Sequence, residues 1–372
     1  MATIIFKPTE ACNARCLYCD VVARRPRRKP MPAETLDRVF TWINEYLETR
    51  EGETINLVWH GGEPLLLGAS YFRAALEIQR RRCGLNSGRI SHSVQTNLTL
   101  LNTDFISIFK EMGITTLGTS FEPLPGIRGM GTRMDSKAYN EMFFKGLKLL
   151  RENNFGWGFI YVVTRRALTQ PLTLFHYLLN LALGKGFAFN PVLIYGEDTH
   201  QLRITPKEYM EFLGALFPAW WAHRAWWPSV EPFTHYESLI VQKRARVGCA
   251  DSGRCHTSHV YIGPEGELSR CGRAADWDIV WYGTIEDRSL RDVLSEDAHN
   301  KAFAQRNQVL RDGECRGCRF WDMCHGGCPL DSFAAHGDLQ HKSEWCDAKR
   351  LFIEKYFEPV TGARFEGFSA TN

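Results

Sequence analysis

The sequence lacks the features that mark exported, membrane-bound or nucleic-acid-binding proteins. It contains no uninterrupted apolar run of the roughly 18 residues that a membrane-spanning helix needs. Its first residues, MATIIFKPTEAC, show no basic stretch followed by an apolar segment, so no signal peptide is indicated. The net charge is only +3, because 45 Lys and Arg residues nearly balance 42 Asp and Glu residues, and such a balance favours neither nucleic acid nor a membrane surface as a partner. We therefore expect a soluble, cytoplasmic protein.

Internal repeats and low-complexity segments are also absent, and 44% hydrophobic residues over 372 positions suffice for one large core or two moderate ones. Cysteine, in contrast, is abundant, with 12 residues in the chain. Because the cytosol is reducing, grouped thiols in a cytoplasmic protein indicate metal binding or redox chemistry rather than disulfides. The spacing of the cysteines is therefore the main guide to function.

Short β-like runs alternate with longer amphipathic patterns over roughly the first 235 residues. Amphipathic helices are predicted from Ala33 to Glu48 and from Tyr71 to Arg82. Such alternation is typical of a parallel α/β sheet and predicts an open or partial (β/α) barrel, in which ligands bind at the carboxyl ends of the strands. The predicted strands are Ile4 to Lys7, Ile55 to His60, Ile90 to Thr96, Thr115 to Phe121, Phe159 to Thr164 and Phe187 to Ile194.

The pattern changes after about residue 240. Glycine becomes frequent there, and eight of the twelve cysteines fall between Cys249 and Cys346. We expect a barrel over residues 1–235, a cysteine-rich, metal-binding domain over residues 236–348, and a closing helix with a tail over residues 349–372.

Three cysteines, Cys12, Cys16 and Cys19, follow the first predicted strand in the segment CNARCLYC. Their thiolates are expected to converge on a loop at the carboxyl end of that strand. Three thiolates are one fewer than a cubic iron–sulfur cluster takes, so a cluster held there has one iron open to another ligand. A small zinc site is the alternative that these residue types allow.

The CxxxCxxC spacing, with the aromatic residue Tyr18 before the third cysteine, resembles the radical S-adenosylmethionine (SAM) enzymes. The resemblance implies a [4Fe-4S] cluster whose open iron binds the amino and carboxylate groups of SAM. It also implies that an electron from the cluster cleaves SAM to methionine and a 5′-deoxyadenosyl radical, which abstracts hydrogen from an unactivated C–H bond.

Further segments resemble this family at the ends of predicted strands. The second strand ends in GGEP, where glycine lets backbone approach a ligand closely and glutamate accepts a hydrogen bond from an ammonium group. An ordinary strand-to-helix turn is the alternative. Glu122 stands where many relatives have aspartate, and Arg128 or Arg133 is a candidate for the cofactor carboxylate. By the resemblance, the SAM contacts are Gly61, Gly62, Glu63, Pro64, Gln95, Asn97 and Ser120.

The eight later cysteines make two complete sets of four. Their order resembles the SPASM domain, the cysteine-rich extension of peptide-modifying radical SAM enzymes. A pair of zinc ribbons is the alternative that CxxC spacing allows, and Cys83 is left without a role. By the resemblance, the first auxiliary [4Fe-4S] cluster is held by Cys249, Cys255, Cys271 and Cys328. The second is held by Cys315, Cys318, Cys324 and Cys346.

These resemblances imply a partial (β/α)6 TIM-like barrel followed by a small cysteine-rich SPASM domain, with three [4Fe-4S] clusters and SAM as cofactors. Because clusters with four thiolate ligands have no open iron, we expect the auxiliary clusters to relay electrons. The implied partners are a precursor peptide or protein substrate and an electron donor such as flavodoxin or ferredoxin.

The order of motifs resembles anaerobic sulfatase-maturating enzymes and compact peptide maturases. In the sulfatase maturases, an aspartate directly after the cysteine equivalent to Cys271 acts as general base in formylglycine formation. That position is Gly272 in this chain, and glycine cannot accept a proton. Asp276 and Asp278 are therefore the candidates for the base.

Without that base, radical chemistry at a β-carbon can end in bond formation. We expect a peptide maturase that installs an intramolecular crosslink in a ribosomally made precursor peptide, with a cyclophane-type C–C bond to an aromatic residue ahead of a thioether. The alternative is an anaerobic sulfatase-maturating enzyme that forms formylglycine. A non-catalytic iron–sulfur electron carrier or a zinc-ribbon structural protein is the alternative from another class.

Overall fold

The structure of the protein is a computed structural model. It describes residues 1–19, 21, 29–182, 185–194, 197–244, 248–277, 279, 281–295 and 300–368. The chain divides into two compact units. The first unit comprises Met1–Gly158 and His256–Asn300, and the second unit comprises Phe159–Cys255 and Lys301–Asn372.

The strands and helices of the described residues are numbered in chain order. The strands are β1 (Ala2–Phe6), β2 (Ala14–Cys16), β3 (Ile55–Trp59), β4 (Ile90–Val94), β5 (Thr116–Ser120), β6 (Arg128–Met130), β7 (Gly156–Val163), β8 (Phe187–Pro191), β9 (Val230–Glu231), β10 (His259–Ile262), β11 (Glu267–Ser269) and β12 (Trp281–Thr284). The helices are α1 (Ala33–Glu48), α2 (Ala69–Cys83), α3 (Thr103–Glu111), α4 (Ser136–Glu152), α5 (Pro171–Ala182), α6 (Pro206–His223), α7 (Phe233–Tyr236), α8 (Gly272–Asp276), α9 (Leu290–Val293), α10 (Lys301–Asp312), α11 (Trp321–Cys324), α12 (Pro329–His336), α13 (Cys346–Phe352) and α14 (Glu358–Thr361).

The first unit is built on a sheet of six described strands in the order β12-β11-β10-β1-β3-β4. β1, β3 and β4 are parallel neighbours, and β1 also pairs in parallel with β10. Strand β11 pairs in antiparallel fashion with β10 on one side and with β12 on the other. Alternate residues of β1 and β3 are fully buried, because successive side chains of a strand point to opposite faces. The residues that follow β1, β3 and β4 therefore meet at one edge of the sheet.

Helices α1 and α2 lie before and after β3 in the chain, and they pack against each other. The inward face of α1 buries Leu36, Phe40 and Ile43, which recur near the helical period. The core side of the sheet is aromatic: the ring of Trp59 lies 5.0 Å from Phe6 and 4.6 Å from Phe72 of α2. Burial of one such ring stabilises the fold by about 2–3 kcal/mol, so this cluster holds the ends of β1 and β3 in place.

All six predicted strands are present, as β1, β3, β4, β5, β7 and β8, with ends shifted by a few residues. Helix α1 has the predicted bounds, and α2 extends the predicted helix by two residues at its start and one at its end. The strand and helix pattern of a parallel α/β fold is confirmed. Strands β10–β12 were not predicted, and through them residues after 240 contribute to the sheet of the first unit.

The second unit contains a parallel arrangement of β7, β8 and β9. Its core is aromatic as well, with the ring of Phe217 in α6 lying 4.9 Å from Phe357 and 5.4 Å from Phe233. The closing helix predicted after residue 349 is confirmed as α13, continued by a π-helical turn over Ile353–Phe357. No helix among the described residues is long and apolar enough to cross a bilayer.

Candidate active site

A loop at the carboxyl end of β1 carries the first three cysteines. It is shaped by the antiparallel pairing of β2 with β6, in which Cys16 lies opposite Arg128. The N–H of Cys19 donates to the carbonyl of Cys16 at 3.1 Å, and the N–H of Ala14 donates to Sγ of Cys12 at 3.4 Å. The loop therefore presents the cysteines from one short turn, at the predicted position.

Burial raises the pKa of the Cys12 thiol to about 12 and that of Cys16 to about 11. For Cys16, the Arg128 guanidinium lowers the pKa and the neighbouring Cys19 thiolate raises it. Buried thiols lose their protons only when a cation balances the negative charge of the thiolate. The irons of a cluster supply that positive charge. The donor set therefore fits a cluster held by Cys12, Cys16 and Cys19 with one open iron.

The GGEP segment packs against this cysteine loop. Gly61 has a φ of +130°, and a Cβ there would lie 2.0 Å from the carbonyl oxygen of Thr9. A Cβ at Gly62 would lie 2.3 Å from the carbonyl oxygen of Ala11. Two hydrogen bonds, from Gly62 N–H to Thr9 and from Glu63 N–H to Ala11, join the two segments at 3.1 and 2.8 Å. Glycine is required here because the backbone of the cysteine loop occupies the space of a side chain.

Glu63 is fully buried beside this turn. Its carboxylate accepts hydrogen bonds from Leu65 N–H at 3.0 Å, from the Thr96 hydroxyl at 2.7 Å and from Asn97 N–H at 2.7 Å. Burial raises its pKa to about 7, although these three donors lower it. A carboxylate offers about four acceptor positions, so the three bonds orient Glu63 and leave an acceptor position for a ligand ammonium.

The other predicted SAM contacts gather at the same edge. Gln95 donates to the Ser120 hydroxyl at 3.2 Å, which links the ends of β4 and β5. The Asn97 amide donates to the side-chain oxygen of Asn13, inside the cysteine loop, at 2.9 Å. The structure therefore brings Glu63, Gln95, Asn97 and Ser120 together around the cysteine loop, and their contact with SAM stays a prediction.

A polar network beside Cys16 was only partly expected from the sequence. The Tyr18 hydroxyl donates to Glu122 at 2.9 Å, and the buried guanidinium of Arg128 forms an ion pair with Glu122 and a hydrogen bond to Tyr18. Arg128 also donates to the Tyr139 hydroxyl at 3.4 Å. Burial would lower the pKa of Arg128, but Glu122 raises it well above its ordinary value. Arg128 therefore supports the loop through Tyr18 and Glu122. This network has no signal in the sequence because β2 and β6 are three-residue strands far apart in the chain.

A second polar cluster lies where β1 meets α8. The Nζ atom of Lys7, which is buried, lies 2.6 Å from Oδ1 of Asp276, and the Asp276 side chain is 19% exposed. His60 accepts from Gly61 N–H at 2.8 Å, and burial together with the Lys7 charge lowers its pKa to about 4. A Cβ at Gly272 would lie 3.5 Å from Ile5 and 3.7 Å from Cε of Lys7. The candidate base Asp276 thus lies beside position 272, whereas Asp278 falls outside the described residues.

The predicted second auxiliary set is brought together within the second unit. Its four cysteines line one pocket, whose walls include Phe320, Trp321 and Ile353. Burial raises the pKa of Cys315 to about 11 and of Cys324 to about 12, so these thiols also need a cation before they ionise. This donor set fits a cluster with four thiolate ligands.

The predicted first auxiliary set is divided between the two units. Cys271 precedes the first residue of α8 in the first unit, and Cys249, Cys255 and Cys328 belong to the second unit. Among the described residues, no three His, Cys, Asp or Glu side chains are arranged to hold a single metal ion. The grouping of these four cysteines around one cluster therefore stays a prediction from their spacing.

Residues 6–167 match the family model of the Radical SAM superfamily. This match covers the cysteine loop, the GGEP turn and the ends of β4 and β5 that the structure gathers around them. This part of the chain is therefore a radical SAM domain, which implies a [4Fe-4S] cluster and SAM as cofactors, and the protein is an enzyme. The interpretation as a protein without catalytic activity, either an electron carrier or a structural protein, is therefore wrong.

Two curated relatives align with nearly the whole chain. The chain is 25% identical over 377 residues to the serine-type anaerobic sulfatase-maturating enzyme of Klebsiella aerogenes, covering 96% of this chain and 85% of that protein. It is 22% identical over 371 residues to the cysteine-type anaerobic sulfatase-maturating enzyme of Clostridium novyi, covering 96% of each.

Solved structures show the same fold. The structure of native anSMEcpe with bound AdoMet gives a TM-score of 0.81 at 21% identity, over 97% of this chain and 98% of that chain. Streptococcus suis SuiB bound to its precursor peptide SuiA gives a TM-score of 0.62 at 16% identity, over 93% of this chain and 75% of that one. The fold is therefore the α/β radical SAM barrel followed by a cysteine-rich region of SPASM type, as predicted.

Proposed function

We propose that this enzyme oxidises a cysteine or serine side chain of a peptide or protein substrate to formylglycine. The names of the relatives that align along the whole chain support this reaction over the crosslink that the sequence led us to expect. The observation that carries the proposal is the position of Asp276, whose partly exposed carboxylate lies next to position 272 and is held by Lys7.

Asp276 is placed to replace the missing base. Residues four apart on a helix lie on the same face, so Asp276 shares the face of α8 on which Gly272 lies. Because Gly272 has no side chain, the space over Lys7 is open, and the carboxylate reaches Lys7 from one turn further along the helix. The proton acceptor therefore stands at position 276, four residues after position 272, where the sulfatase maturases have their aspartate.

The residues of the site have separate roles in this reaction. When bound at the three-cysteine loop, the cluster with SAM supplies the radical that removes a hydrogen atom from the substrate β-carbon. Glu63, Gln95 and Asn97 orient SAM, and Asp276 accepts the proton of the substrate thiol or hydroxyl. Loss of that hydrogen atom, that proton and one electron oxidises the side chain to the aldehyde level. The auxiliary cysteine sets would hold the oxidised clusters that accept this electron. With a cysteine substrate the thioaldehyde then reacts with water, which gives the aldehyde and releases hydrogen sulfide.

Installation of an intramolecular crosslink in a precursor peptide, of the cyclophane type or as a thioether, is the second candidate. It is favoured by Gly272 itself, since the residue directly after Cys271 offers no base. In this reaction the substrate also loses two hydrogen atoms, but they come from the two positions that become bonded.

The test uses anaerobically reconstituted enzyme, SAM, a chemical reductant, and sulfatase-type peptides with cysteine, serine or alanine at the target position. We expect the cysteine peptide to lose its sulfur and gain hydrazide reactivity, measured by mass spectrometry. A product that loses two hydrogen atoms and does not react with hydrazide supports the crosslink instead. Formation of 5′-deoxyadenosine without any peptide product contradicts both.

The role of Asp276 is tested by Asp276→Asn, which removes the base and keeps the shape. We expect product to fall by about 10²-fold or more while 5′-deoxyadenosine still forms. Asp287→Asn, a change at an exposed aspartate of the same unit, is the matched control. Adding Gly272→Asp to Asp276→Asn should restore product, and adding Gly272→Asn should not. Full product from Asp276→Asn alone would rule out the assignment.

A further inference from the structure

Arg306 is a buried cation in the middle of the cysteine-rich part of the second unit. It lies on α10 and is only 3% exposed. Its guanidinium makes four hydrogen bonds, and all four acceptors are backbone carbonyls. The acceptors are Leu339 at 2.7 Å, His325 at 3.0 Å, Gly326 at 3.1 Å and His341 at 2.7 Å.

Two of these carbonyls belong to the turn between Cys324 and Cys328. The turn is closed by Gly327 N–H, which donates to the Cys324 carbonyl at 2.7 Å. Gly326 has a φ of +77°, and a Cβ there would lie 2.4 Å from Leu310 of α10. Arg306 therefore fixes a turn that carries one cysteine of each predicted auxiliary set.

In the part of the chain that the structure describes, no carboxylate lies within ion-pair distance of Arg306, and Asp331 acts on it only from further away. Among the described residues Arg306 thus forms no ion pair, in contrast to the half-buried Lys349, whose Nζ lies 2.6 Å from Asp251. A guanidinium removed from water without an anion is strongly disfavoured. Burial lowers the pKa of Arg306, and the charges that raise it are, in order, those of Cys328, Cys315, Cys255 and the buried Asp331. The anions that act on this cation are therefore cysteine sulfurs of both predicted sets together with the Asp331 carboxylate.

We propose that Arg306 is the counter-cation of the two auxiliary clusters and that its charge sets their reduction potentials. This inference rests on the proposed auxiliary clusters and not on the reaction assigned to the enzyme. A cluster with four thiolate ligands is an anion, and its potential depends on nearby charge and hydrogen bonds. A fixed cation stabilises the reduced, more negative state, so Arg306 makes both clusters easier to reduce.

The test measures the auxiliary clusters directly, by a redox titration followed by electron paramagnetic resonance. It uses the full chain with Cys12, Cys16 and Cys19 changed to alanine, so that only auxiliary signals remain. We expect Arg306→Gln to shift the reduction equilibrium toward the oxidised state by about tenfold, which is about 59 mV for a one-electron couple. Arg306→Lys should keep most of the wild-type potential, and Lys301→Gln, which removes an exposed charge from the same helix, should change nothing.

Unchanged potentials in Arg306→Gln with full auxiliary iron would overturn the proposal. If Arg306→Gln loses its auxiliary iron, the iron content of Arg306→Lys decides: retention supports the role of the charge, and an equal loss shows that Arg306 acts only as a clamp on the turn. Wild-type protein with zinc in place of the auxiliary iron also overturns the proposal. None of these outcomes depends on which peptide product the enzyme makes.

Discussion

At the scale of single residues, the site depends on buried polar groups whose hydrogen bonds are nearly all accounted for. Glu63 is an example: three donors hold its carboxylate between the ends of β3 and β4, while burial raises its pKa to about 7. A carboxyl group with this pKa is only partly ionised at neutral pH. Its ability to attract the ammonium group of SAM therefore depends on pH.

This gives a prediction for the binding of SAM. Because the pKa of Glu63 is raised, protonation is favoured below about pH 7, and the carboxylate that attracts a cation is present above it. Affinity for SAM should therefore increase as the pH rises through about 7 and should depend less on pH in Glu63→Gln. Equilibrium dialysis of the reconstituted proteins measures how the affinity for SAM changes with pH in wild type and in Glu63→Gln. Glu34→Gln, a change at an exposed glutamate, is the control. Equal slopes in wild type and Glu63→Gln would show that Glu63 does not face the ammonium.

At the scale of elements, the cysteine loop is positioned by contacts that are distant in the chain. β2 pairs with β6, the GGEP turn packs on Thr9 and Ala11, and the network of Tyr18, Glu122 and Arg128 lies beside Cys16. Strands of three residues are not stable on their own. The buried ion pair between Glu122 and Arg128 therefore holds β6 against the loop.

Arg128→Met should destabilise the cluster-free protein by about 3–5 kcal/mol, because it leaves the buried Glu122 carboxylate without its cation. The double variant with Glu122→Leu should recover much of this loss, since a buried pair can be replaced by apolar residues of similar volume at little cost. Urea unfolding, followed by tryptophan fluorescence, measures the free energy of unfolding of wild type, the single variant and the double variant. A single variant as stable as wild type would show that the ion pair does not support the loop.

The elements also show how far the sequence could be interpreted. The amphipathic period of α1 and the apolar runs of β1, β3 and β4 predicted these elements because each carries a local signal. Strands β10–β12 and β6 contain three or four residues each, and such short segments show no period. The gathering of Glu63, Gln95, Asn97 and Ser120 was predicted through a family resemblance. The Lys7–Asp276 and Arg306 contacts depend on tertiary packing and have no sequence signature.

At the scale of the whole molecule, the cysteines account for most of the chemistry. Eleven of the twelve were assigned to three sites, and the remaining one, Cys83, is buried at the end of α2 with its thiol 3.5 Å from the Phe40 carbonyl. The radical SAM assignment explains the first three, and a shared pocket supports the grouping of Cys315, Cys318, Cys324 and Cys346. The central claim that remains to be measured is therefore that the chain holds two auxiliary clusters.

The most direct measurement is the content of iron, acid-labile sulfide and zinc per chain in protein purified without oxygen. Three [4Fe-4S] clusters predict about 12 iron and about 12 sulfide with no zinc. Replacing Cys12, Cys16 and Cys19 together by alanine should remove about 4 iron, and replacing Cys315, Cys318, Cys324 and Cys346 should remove about 4 others. A wild-type content of about 4 iron and 2 zinc would contradict the auxiliary clusters while leaving the radical SAM centre in place.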